Sequence, residues 1–169
     1  MPLLKNGRVS EDSWQPVADE APAPGHGPIL VSFARWQAER ESLLGRNAPV
    51  GVRLKNTDDV TALKPDLDRI ELIALEFPKY TDGRAYSQAR ILRERLGYAG
   101  ELRATGQVLL DQLLFMQRCG FDAFVLDRVD AESAWRKAQR SFNLFYQPTG
   151  DGRATVNELR RHLIHQAAE

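Results

Sequence analysis

From residue 29 onward, short β-branched or apolar runs alternate with stretches of helical periodicity, and this alternation limits the possible folds more than any other feature. The runs are Ile29–Ser32, Gly51–Leu54, Ile70–Phe77, Glu101–Thr105, Ala123–Asp127 and Asn143–Gln147. Between them lie helical patterns with recognisable ends. Phe33, Trp36, Arg40 and Leu44 recur at helical spacing before Gly45. Thr57-Asp58-Asp59 suits the cap of a short helix before Pro65, and Asp82 the cap of one closing at Gly97. Gln107–Cys119 predicts a helix stopped by Gly120, and Asp130 caps the next. Repeated βα units imply an α/β fold with a mainly parallel sheet of about five or six strands and right-handed crossovers. Strand order is open between a partial (β/α) barrel and a flavodoxin-like doubly wound sheet. Polar residues inside the strands (Arg53, Glu76, Glu101 and Arg103) favour the partial barrel, because a flat parallel sheet covered on both sides reads as continuously apolar.

Two flanking segments complete the layout. Residues 1–28 carry Pro16, Pro22, Pro24, Gly25, Gly27 and Pro28 and predict an irregular segment, with room for a short strand near Trp14–Val17. The βα-repeat domain spans 29–148. Residues 149–169 form a loop and a helix opened by the capping box Thr155-x-x-Glu158, with Leu159, Leu163 and Ile164 on one side.

Composition excludes several classes of function. The 23 Lys+Arg balance 23 Asp+Glu, which disfavours a general nucleic-acid binder. One cysteine, Cys119, excludes an internal disulfide and an all-cysteine metal site. No P-loop, Gly-x-Gly-x-x-Gly, Cys-x-x-Cys, His-Glu-x-x-His or Gly-x-Ser-x-Gly occurs, so no cofactor or metal is expected. The histidines are peripheral: His26 in the Gly/Pro segment, and His162 and His165 on the last helix. The opening residues lack a signal-peptide core and no run reaches membrane-span length, which predicts a cytoplasmic protein without a membrane partner.

Candidate chemistry gathers where parallel strands end. Lys79, Arg84 and Arg128 fall on one rim and Arg103 just below it, a set suited to a small oxyanion. Asp82 and Glu76 are the candidate proton-handling groups. Residues 77–120 hold seven cations against four anions. The helix from Gln107 is unusually apolar, so Leu110, Leu113 and Leu114, with Arg118, predict an interface with a protein partner or a second copy.

The run Phe77–Phe124 closely resembles domain-of-unknown-function family 934 of bacteria. The resemblance rests on DGR-x-YS, LRER-x-GY-x-GELRA and RCGFDAF, and weaker similarity extends it from about residue 29 to Pro148. Members are commonly encoded beside the assimilatory sulfite reductase haemoprotein and are often labelled oxidoreductases of sulfite reduction. The resemblance thus implies an accessory protein of sulfite/sulfate assimilation, with the haemoprotein or another enzyme of that route as partner. It equally admits a small anion-binding enzyme or oxidoreductase subunit of the same route, or a homodimeric structural domain without catalysis. The family more often has Asp-x-x-Arg where this chain has Gln107 and Leu110, which makes that helix more apolar here.

Overall fold

A computed structural model describes residues 2–127 and 130–166. Its strands are β1 (Leu3–Lys5), β2 (Arg8–Ser10), β3 (Gln15–Pro16), β4 (Ile29–Ser32), β5 (Val50–Leu54), β6 (Ile70–Phe77), β7 (Glu101–Gly106) and β8 (Ala123–Val125). The α-helices are α1 (Phe33–Leu44), α2 (Arg84–Arg90), α3 (Leu113–Arg118), α4 (Ala131–Gln139) and α5 (Val156–Gln166). The strands form one curled, mostly parallel sheet, a half-barrel in the order β2-β1-β8-β7-β6-β5-β4-β3. Strands β3 to β8 run parallel in consecutive order, which excludes the flavodoxin-like alternative.

The N-terminal segment is not irregular throughout. Asn6 and Gly7, at φ 50° and 80°, make the turn of a hairpin whose first strand pairs antiparallel with β8. Asn-Gly at a two-residue turn matches the twist of the strands it joins. β3 fulfils the strand expected near Trp14. The Pro/Gly stretch behind it is held by arginines: Arg35 donates to Ala18 O at 2.5 Å, and Arg46 to Pro24 O and Gly27 O.

Asn143–Gln147, expected as a last strand, is not one. The edge of β8 where it would pair is already taken by β1. The expected helix from Gln107 begins later, after Leu109 in extended conformation and a 3-10 turn at Leu110–Gln112. Gly106, at φ 86°, lies so close to the Phe77 backbone that a side chain there would collide with its carbonyl. That turn redirects the chain before any helix can start.

The two faces of the sheet differ. Val31, Val52, Leu54, Ile73, Leu75, Phe77, Leu102 and Ala104 join Trp36, Ala89, Leu92 and Met116 in one apolar core beneath the helices. The alternate strand positions, on the other face, include Arg53, Glu76, Glu101, Arg103 and Thr105, with Glu76 opposite Thr105 and Ala74 between Arg53 and Arg103. This is the inner, concave face.

Curvature follows from chain length. β2 and β3 are opposite edges of the sheet, yet only residues 11–14 connect them. Seven strand spacings would set the edges of a flat sheet about 33 Å apart. Five residue steps reach about 17 Å fully extended. The sheet must therefore curl, and the connecting strap crosses its concave side. Asp12 Oδ2 accepts from Arg103 Nη1 at 2.8 Å, and the Trp14 ring packs over Gly51.

The hairpin turn gives a direct test. Gly7→Ala places a side chain at positive φ and against the Trp135 indole. It should cost about 1–3 kcal/mol in urea unfolding, whereas an unchanged midpoint would contradict the turn geometry.

Candidate functional site

The inner face is charged, but its charges are largely spent on one another. Arg103, 2% exposed, directs Nε to Glu101 Oε1 at 2.8 Å, and its Nη2 lies 2.7 Å from the same oxygen as an ion pair off the hydrogen-bond direction. Lys5 Nζ reaches the other Glu101 oxygen at 2.8 Å. Lys5, Glu101, Arg103 and Asp12 thus alternate in sign from β1 across β8 to β7 and on to the strap. Buried charge is tolerated there because each ion is paired.

The rim above shows the same economy. Arg84 chelates Asp82 through Nε at 3.0 Å and Nη2 at 2.7 Å, and its own N–H donates to Asp82 Oδ1 at 3.3 Å. That guanidinium holds the Asp82 carboxyl down at about 2. An acid so firmly ionised is a poor proton donor near neutrality. Asp82 precedes the cap position, which Gly83 occupies. Gln107 accepts from Tyr80 N–H and Gln112 donates to Tyr80 O, fixing the loop.

Two predicted residues are placed differently, and Arg53 joins them. Lys79 is exposed, Glu76 half-buried on the inner face, and Arg53 exposed on the neighbouring strand opposite Ala74; none has an ion pair among the described residues. Arg128 lies outside the described residues. The structure therefore leaves Lys79 and Arg53 as available cations, while carboxylates already engage Arg84 and Arg103.

Two of the phrases that carry the family resemblance, LRER-x-GY-x-GELRA and RCGFDAF, form a staple at the opposite end of the strands. Arg93 donates to the carbonyls of Gly120 at 2.9 Å, Tyr98 at 2.6 Å and Gly100 at 2.8 Å, and to Asp122 Oδ2 at 2.9 Å. Asp122 Oδ1 accepts from Leu102 N–H at 2.9 Å. Burial raises the Asp122 carboxyl, against the pull of the Leu102 amide and Arg93. A π turn over Ile91–Arg95 carries Arg93 at its middle. Every nitrogen of this guanidinium is occupied, so it holds loops rather than substrate.

The expected interface also changes. Leu113 and Leu114 are buried in the core, Leu110 is half-buried, and the outward apolar residues are Leu109 and Phe115. Arg118 is itself buried. It donates to Asp151 Oδ2 at 2.9 Å and Gln147 O at 3.0 Å, and lies 3.8 Å from the Phe145 ring centre. It pins the segment after α4 against α3. Between them opens an apolar groove of about 350 Å³ lined by Leu114, Phe115, Phe142, Leu144 and Tyr146, with Asp111 among its lining residues. Phe142 is 66% exposed, Leu144 59% and Tyr146 79%. Asn143–Gln147 alternates large apolar residues, but with the β8 edge taken by β1, that pattern becomes surface.

The family described as a bacterial protein of unknown function (DUF934) matches residues 51–157. The chain belongs to that family. No curated protein and no solved structure matches it. The DUF934 match covers the charged inner strands, the Arg93 staple and the groove, but not the strap residue Asp12. Among the described residues no group of three metal-ligating side chains converges, and no helix is long and apolar enough to cross a membrane.

Cys119 closes α3 and is 3% exposed; burial pushes its thiol up to about 11. A thiol raised on folding contributes full stability below the unfolded value, and that contribution is lost as pH rises through 9 to 11. Cys119 should resist iodoacetamide at pH 8 in the native protein and react in urea. Fast native labelling would show a reactive thiol instead.

Proposed function

We propose that this DUF934 protein is a cytoplasmic accessory protein of assimilatory sulfite and sulfate reduction, acting by binding a protein partner such as the sulfite reductase haemoprotein. The aromatic groove carries this reading. Phe115, Phe142, Leu144 and Tyr146 expose a contiguous apolar surface around one groove. Such surfaces are characteristic of recognition sites, and aromatic side chains dominate their energetics. The setting in sulfur assimilation is supported by what the family resemblance implies.

A second reading, a small oxyanion-binding enzyme or oxidoreductase subunit of the same route, is favoured by exposed Lys79 and Arg53 near half-buried Glu76. The pairing of Arg84 with Asp82 and of Arg103 with Glu101 and Asp12 weighs against it.

Mixed with the sulfite reductase haemoprotein, the protein should co-elute, and Leu144→Asp should abolish co-elution while the far-UV circular dichroism stays native. No complex at tens of micromolar would overturn the partner reading. A thermal shift with millimolar sulfite or sulfate, lost in Lys79→Ala, would favour the second reading instead.

A further inference from the structure

α5 is an amphipathic helix whose apolar side chains lie largely in solvent among the described residues. Its start is well made: Thr155 N–H and Oγ1 donate to Glu158 Oε2 at 2.6 and 2.9 Å, while Glu158 N–H donates to Thr155 Oγ1 at 3.3 Å. Val156 N–H donates to Phe145 O at 2.8 Å, so the helix leaves from the edge of the groove. Yet Leu159 is 39% exposed, Leu163 66% and Ile164 69%. At 100° per residue these three share one side of the helix, and Arg160 falls among them. An isolated helix of this length is marginal in water, so its stability depends on covering that face.

The same chain thus exposes an apolar helix face and an apolar groove. We propose that α5 of one copy lies in the aromatic groove of a second copy, and reciprocally, forming a two-fold dimer. This rests on the reading of the groove as a docking surface and names its occupant in the isolated protein.

Two observations favour a second copy. The first is charge. Asp111, exposed at the groove, and Arg160, within the helix stripe, have no ion pair among the described residues, and each supplies what the other lacks. The second is area. Phe115, Phe142, Leu144, Tyr146, Leu159, Leu163 and Ile164 leave on the order of 800 Å² exposed per chain. Doubled by a two-fold axis, this reaches about 1,600 Å², the usual size of a specific interface. A helix laid into an apolar groove is a common recognition mode.

Light scattering with size exclusion at tens of micromolar should give a dimer. Asp111→Arg and Arg160→Asp should each weaken it at least tenfold, and the double reversal should restore it. Leu163→Asp, on an exposed position, should give a folded monomer. A monomeric natural protein, or a dimer indifferent to all of these changes, would overturn the proposal. If the protein is monomeric but Leu144→Asp still abolishes haemoprotein binding, the dimer fails while the docking reading stands. If the dimer responds as expected and the haemoprotein never binds, the dimer stands and the functional reading fails.

Discussion

The strap of residues 11–14, too short to span an open sheet, is the constraint on which the structure depends. Because it joins the two outer strands, the sheet must bend, and because it crosses the concave side, it must be accommodated there. Asp12 meets Arg103 and Trp14 covers Gly51. The hairpin that begins the strap also takes the free edge of β8. That occupation leaves residues 143–147 outside the sheet and their aromatic side chains in solvent.

A second theme is the use of arginine as a multidentate clamp. Arg93 gathers three carbonyls and Asp122, Arg118 holds the segment that walls the groove, and Arg40 grips buried Asp66 through two nitrogens. The planar guanidinium suits this role because its donors are fixed in a fork. A chain of zero formal net charge can therefore hold locally basic stretches without offering them to ligands. The aromatic groove remains uncovered, which directs the functional reading towards association.

Much of the fold was legible because each cue acted locally. Alternating βα runs, Gly97 and Gly120 as stops and the Thr155–Glu158 box all describe contacts between near neighbours. Polar residues in the strands correctly indicated an inner face, since only a curled sheet leaves one uncovered by helices. The site was less legible. Whether Arg103 faces a ligand or Asp12 depends on a contact 91 residues away in the chain. Leu113 and Phe115 are equally apolar in sequence, and only tertiary packing buries one and exposes the other. Asn6-Gly7 is a readable hairpin signal between short strands, but that the hairpin pairs with β8 is a contact over about 120 residues that no local cue gives.

The most direct test of this account is a double-mutant cycle between the strap and the sheet, using Asp12→Ala, Arg103→Met and both together in urea unfolding. Because Arg103 is buried and Asp12 partly exposed, the account predicts a coupling of about 1–2 kcal/mol, with the double variant less destabilised than the sum of the single changes. Strictly additive losses would show that the strap does not hold the half-barrel through this pair.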